Sequence, residues 1–235
     1  MGNLMILDTV KRSLIPSKDF IFGVSDLRGL INRKYIRYPY GILIGKRLDD
    51  RIIDGILNGP TMDYYNHYNQ INHELHAIAH KIKSDLHGIQ VDAIVVEPTV
   101  STESKEFEKY LKTLTVDVSH KMVATRAGLG WIGKTDLFIS KDFGPRLRLV
   151  SLLINQKPEI ESKPIEKSRC GRCTVCVDKC PANAANGKLW NVKVHRDSFF
   201  DAHQCRKTCG ELARQRLNVD IRICGLCVAV CPIRR

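Results

Sequence analysis

The first 169 residues of this 235-residue chain contain no cysteine. A secreted domain held by disulfides rarely leaves so much of itself unstapled, and a chain this long can bury a core without staples. Long apolar runs are also lacking: none approaches the roughly 18 residues that span a bilayer. The opening MGNLMILDTVKR has neither the basic region nor the apolar stretch of a secretory signal. These absences predict a cytoplasmic protein with no membrane attachment.

Acidic residues are outnumbered, 25 against 37 Lys and Arg, for a formal charge of +12. Such a balance admits nucleic acid or another polyanion as partner. The basic residues are spread along the chain instead of forming one run, so a merely basic surface is the competing reading.

All nine cysteines lie between Cys170 and Cys231. Outside an oxidising compartment, such clustering points to metal. It divides the chain into an α/β (α+β) domain over 1–163, for a cofactor and substrate, and a cysteine-bearing domain over 164–235. CGRCTVCVDKCP spaces its thiols as Cys170-x2-Cys173-x2-Cys176-x3-Cys180-Pro181, the bacterial ferredoxin run for a 4Fe–4S cluster. A zinc ribbon needs only paired C-x2-C knuckles. CGLCVAVCP repeats the run in degenerate form, as Cys224-x2-Cys227-x3-Cys231-Pro232, with Ile221 where a fourth ligand would stand. Cys205 and Cys209 are the candidates to replace it, which leaves one of the nine spare.

In the crossed ferredoxin pattern the last cysteine of each run serves the other cluster. Cys170, Cys173, Cys176 and Cys231 would then hold one cubane, and Cys180, Cys224, Cys227 and Cys205 the other. Two clusters in series suit an electron wire, whereas one would suffice as a folding staple. Two four-thiolate cubanes, each of charge about −2, leave the chain basic.

In the first part, 20–27 and 38–45 read as strands, 49–57 as a short helix, and 91–98 as a buried β-branched strand. Tyr65, Tyr68, Ile71, Leu75, Ile78, Ile82 and Leu86 form one apolar stripe that predicts a helix over 64–86, closed by Gly88. Residues 103–113 and 120–127 read as helices, and DLFISKD (136–142) and 147–155 as strands. The polar, two-proline stretch 156–169 reads as a linker. Five histidines fall at 67, 73, 76, 80 and 87. His76 and His80, one turn apart, could clamp a metal, against the alternative of a solvated helix face.

Residues 127–136, AGLGWIGKTD, match the phosphate-cradling P-loop letter for letter. A P-loop follows a strand and opens a helix. Here a helical segment precedes and a strand-like one follows, and no later apolar strand ends in a magnesium-binding aspartate. The remaining readings are a close-packed turn with Trp131 as filler, or a cofactor loop using Gly128, Gly130, Trp131, Gly133 and Lys134.

ATRAGLGWIGKTDLFI, followed by the two cysteine runs, resembles the epoxyqueuosine reductase family, related to the cobalamin-dependent reductive dehalogenases. The similarity runs from about Asp117 to Cys231. It implies a cobalamin held in the α/β domain and reduced through the two clusters by an external donor of ferredoxin or flavodoxin type. It also implies removal of an epoxide oxygen from a modified tRNA base, with an acidic residue protonating that oxygen. Asp117 matches the acid by position, with a helix N-cap as its other reading. The following stretch is about three residues shorter than in the family, which makes His120 and Lys121 alternative proton donors. Only four residues follow Cys231, so the family's helical-repeat domain, which helps grip tRNA, is not expected here. Competing expectations are a ferredoxin-type electron carrier without substrate chemistry, and a nucleic-acid-binding protein with structural clusters.

Overall fold

The computed structural model describes residues 2–14, 18–100, 102–103, 107–158 and 160–233. In chain order the elements are α1 (Gly2–Leu14), β1 (Phe20–Asp26), β2 (Tyr40–Arg47), α2 (Asp50–Asp54), α3 (Met62–His87), β3 (Ala93–Val96), α4 (Phe107–Thr113), α5 (His120–Arg126), β4 (Gly130–Ile132), β5 (Phe138–Ser140), β6 (Leu147–Ile154), α6 (Val175–Asp178), α7 (Ala202–Leu217) and α8 (Leu226–Ala229). They sort into two compact units that are not successive stretches of chain. One holds Met1–Arg47, Ile71–Leu129 and Arg148–Ile165; the other holds Leu48–Gln70, Gly130–Leu147 and Glu166–Arg235. The last passage between them falls inside the stretch read as a linker. The segments 48–70 and 130–147, assigned by sequence to the α/β part, belong to the cysteine-bearing unit.

The first unit is built on a four-stranded sheet in the order β1-β2-β6-β3. β1 and β2 pair antiparallel from Phe20 opposite Lys46 to Asp26 opposite Tyr40. β3 and β6 pair antiparallel from Ala93 opposite Ile154 to Val96 opposite Ser151. The central strands lack the alternation of a half-exposed sheet, and Ile42, Leu43, Ile44, Val150, Leu152, Leu153 and Ile154 are all fully buried. Such continuous apolar runs mark strands covered on both faces. α5 lies against β1 and β2.

Along α3 the apolar stripe buries Ile71, Leu75, Ala79, Ile82 and Leu86, while Tyr65, Tyr68 and Ile78 are half-buried. The Gly88 amide closes the helix on the Ser84 carbonyl. The helix expected over 103–113 appears as Phe107–Thr113, with 104–106 outside the described residues. α1 was not foreseen, although Ile6, Val10 and Leu14 recur every four residues and are buried.

The second unit joins the β4–β5 hairpin to α2 and to the short helices of the cysteine runs. α6 packs against α8, and α2 against α8. Arg146, with its side chain only 3% exposed, pairs with Asp50 at 2.7 Å and Asp54 at 2.5 Å. Burying a guanidinium is tolerated because two carboxylates meet it. This clasp bridges more than ninety residues of sequence.

Candidate functional site

The cysteine site follows from two short repeats of one device. In each run the residue after the first cysteine is a glycine in left-handed backbone, Gly171 at φ 55° and Gly225 at φ 79°. A side chain at Gly225 would also strike Ile56, 2.4 Å from where its Cβ would sit. The tight turn leads into a four-residue helix, α6 or α8, that carries the next thiols inward.

All nine cysteines are unbridged. Burial and the neighbouring Cys176, Cys170 and Cys173 push the Cys231 thiol up to about 11. Burial first, then Cys224, Cys205, Cys176 and Cys180, raise that of Cys227. The last thiol of the second run is thus influenced by the first three of the first run, and Cys227 by both Cys176 and Cys180 as well as by Cys224 and Cys205. Cys205 and Cys209 lie one turn apart on α7 with sulfurs 3.9 Å apart. Cys209 donates toward Cys224 and lowers it to about 7. Crowded, half-buried thiols that raise one another's pKa suit a cation that takes them as thiolates. These sulfurs fit the donor set of two cubanes.

From Gly130 the AGLGWIGKTD segment supplies β4 and the turn of the β4–β5 hairpin in this unit, while Ala127, Gly128 and Leu129 belong to the first unit. It leaves few amides for a phosphate: those of Gly128, Leu129, Gly133 and Asp136 donate to Thr125, Ala124, Leu137 and Gly133 carbonyls. Gly128 leaves α5 at φ 72°. A Cβ on Gly130 would lie 2.0 Å from the Ile139 carbonyl oxygen, so the residue must be glycine for the hairpin to close. Trp131, Lys134 and Thr135 are all buried. The helix-then-hairpin order is not that of a P-loop.

The hairpin carries two buried donors, Thr135 and Trp131. The Thr135 hydroxyl bonds to the Cys176 thiol, opposing the rise that burial imposes on it. The Trp131 indole N–H is buried without an acceptor among the described residues, and Arg169 stacks over its ring at 5.8 Å. Donors to a cluster's sulfurs stabilise its more negative, reduced state. Thr135→Val is expected to lower a cluster midpoint potential in an EPR-monitored redox titration. A lost bond of about 0.5–1.5 kcal/mol corresponds to about 20–65 mV for one electron. An unchanged potential would remove Thr135 from this role.

In the first unit a cavity of about 440 Å³ is lined by Lys34, Glu97, Lys109, Asp117 and His120, among others. Asp117 is not the N-cap of α5; Ser119 takes that place. The Asp117 carboxylate instead meets Lys34 at 2.6 Å and Lys109 at 3.9 Å. The hydrogen bond to Asp117 raises the pKa of Lys34. His120 uses both ring nitrogens within the fold, Nδ1 with Ser151 Oγ and Nε2 with the Glu97 carbonyl, each at 2.9 Å. Burial lowers its pKa to about 4, so it is neutral near pH 7. Lys121 is half-buried on α5 and does not line the cavity.

Sequence reading missed Lys34, Lys109 and Glu97. Glu97 accepts from His76 Nδ1 at 2.7 Å and His80 Nε2 at 2.9 Å. Burial pushes its pKa up, but the two histidines outweigh that and hold it below the ordinary value. No local signal marks these partners; only the His76/His80 spacing was visible.

No helix among the described residues is long and apolar enough to cross a membrane. The model of the 4Fe-4S double cluster binding domain matches residues 169–234. The chain is 29% identical over 210 residues to the epoxyqueuosine reductase of Cyclobacterium marinum, covering 81% of this chain and 63% of that protein. It thus spans less than two thirds of that relative's length. Its fold matches an epoxyqueuosine reductase crystallised with an epoxyqueuosine-modified tRNA stem loop, with a TM-score of 0.60 and 17% identity, over 99% of this chain and 66% of that one. It also matches a reductive dehalogenase studied for B12-dependent dehalogenation, with a TM-score of 0.65 and 14% identity, over 92% of this chain and 30% of that one. The chain is thus similar in sequence to the epoxyqueuosine reductases and carries a 4Fe–4S double cluster binding domain over residues 169–234.

Proposed function

We propose that this chain is an iron–sulfur reductase that removes an epoxide oxygen, or a comparable leaving group, from a modified tRNA base. What carries the reading is the combination, in one chain, of the double-cluster cysteine pattern with a cavity that presents Asp117 between two lysines. Two 4Fe–4S clusters, when bound, supply a one-electron relay from an external donor of ferredoxin or flavodoxin type. Cys170, Cys173, Cys176 and Cys231 would hold one, and Cys180, Cys205, Cys224 and Cys227 the other. Opening an epoxide to an alkene consumes two electrons and two protons and releases the oxygen as water. Asp117 is the group to deliver the first proton to that oxygen. Lys34 and Lys109 attract an anionic substrate and hold the carboxyl in place. The formal charge of +12 favours a polyanion such as tRNA.

Cobalamin is implied by the family resemblance and, among the solved structures, by the likeness to the B12-dependent dehalogenase. The cavities within the first unit, about 440 Å³ and about 240 Å³, lie in or below the ~300–1,000 Å³ range of small-ligand sites. The larger suits a nucleoside-sized group; neither encloses a corrin with its nucleotide tail. Gly128, Gly130, Trp131, Gly133 and Lys134 are buried. No step is therefore routed through cobalamin.

The test is anaerobic incubation of the cluster-loaded chain with a low-potential reductant and an epoxyqueuosine-bearing stem loop, with and without hydroxocobalamin. Mass spectrometry should show the base losing one oxygen. If the clusters reduce and reoxidise a partner protein while the base stays intact under both conditions, the chain is an electron carrier instead.

A further inference from the structure

We propose that His76, His80 and Glu97 form a binding site for a divalent first-row cation, zinc being the probe of choice. The histidines lie one turn apart on α3, and Glu97 follows β3, so the site joins two elements of the first unit. Their ligand atoms, His76 Nδ1, His80 Nε2 and the Glu97 carboxylate, all lie within 4.8 Å of one another. The two imidazoles are 4.3 Å apart between ring centres. Zinc bonds of about 2.0–2.1 Å set neighbouring ligands of a tetrahedron about 3.3 Å apart. Opening the present 2.7 and 2.9 Å contacts by about half an ångström would seat an ion where the hydrogen bonds now run.

The site is held from behind, which separates it from a chance meeting of surface side chains. The Glu97 carbonyl accepts from His120 Nε2 at 2.9 Å, and the Pro98 carbonyl accepts from Arg148 at 3.5 Å. Asn72, one turn before His76, donates to Thr99 at 3.4 Å and accepts from Arg148 at 2.9 Å. The chain carrying the carboxylate is thus tied to the helix carrying the histidines. Preorganised ligands lose less freedom when the ion binds. Two imidazoles and one carboxylate suit zinc, nickel, cobalt or iron(II) better than magnesium or calcium. Three protein ligands leave a position for water or an oxygen of a bound molecule. Glu97 also lines the cavity that contains Asp117.

Equilibrium dialysis of the cluster-loaded chain against micromolar zinc, without oxygen, tests this directly, with iron counted in the same samples. About one zinc per chain is expected, with iron unchanged. The double variant His76→Ala/His80→Ala should bind zinc at least tenfold more weakly, and Glu97→Gln should weaken it as well. All three side chains are about half exposed, at 55%, 46% and 43%, so the variants should keep their thermal midpoint. The proposal fails if the wild type retains no zinc, if the double variant retains as much as the wild type, or if zinc enters only as iron is lost.

Discussion

Cys205→Ser is expected to lower the iron content of the reconstituted chain from about eight to about four atoms, while Cys209→Ser leaves it near eight. The two thiols are separated by one turn of α7 and 3.9 Å, so the outcome turns on which sulfur completes the cubane. Cys227 senses the charge of Cys205 among its strongest neighbours, which puts Cys205 with the second run's thiols. Cys209 lies beside both Cys205 and Cys224, and these neighbours together with burial raise its pKa. A serine hydroxyl at 205 cannot supply a thiolate, so that cubane loses a quarter of its protein ligands. Iron and acid-labile sulfide, counted against protein, read the result. A loss of four irons in Cys209→Ser and none in Cys205→Ser would invert the assignment.

The sites differ in how far they could be read from sequence. Cluster ligation is a local grammar: C-x2-C-x2-C-x3-C-P marks the thiols from spacing alone, although the short helices α6 and α8 that carry Cys176 and Cys227 were not foreseen. The long helix and the strands β1, β2 and β6 were equally legible, because their period or apolarity is written within one element; 91–98, expected as a buried strand, is instead the edge strand β3 with only Ala93 buried. What stayed hidden depends on distant chain segments meeting. Nothing in 48–70 or 130–147 announces that they pack with the cysteine runs, or that Arg146 reaches back to Asp50 and Asp54. Glu97 meeting His76 and His80, and Lys34 meeting Asp117, are of the same kind. The glycine loop shows the reverse hazard. Its letters spelled a ligand site, whereas its glycines serve a hairpin whose strands approach too closely for a Cβ.

Asp117→Asn is expected to keep both clusters and the fold yet lower turnover at least about a hundredfold, within the ~10²–10⁴ range of general acid catalysis. The fold should tolerate the change, because the carboxylate is one-quarter exposed and its lysine partners more so; exposed pairs contribute only about 0–1 kcal/mol. Chemistry should not tolerate it, since an amide carries no transferable acid proton. In the free protein the Asp117 side chain is paired with Lys34 at 2.6 Å. His120→Gln should behave in the opposite way. The His120 pKa is lowered to about 4, below the ordinary 6.5, so acid costs stability as pH falls from about 6.5 to 4 and none above. Replacing it should flatten that part of the stability–pH curve and loosen the Ser151 and Glu97 contacts, with turnover of the folded fraction retained. Single-turnover assays with iron counts and thermal midpoints distinguish the two variants. Full activity in Asp117→Asn, with loss in His120→Gln that exceeds its loss of folded protein, would transfer the acid role to His120.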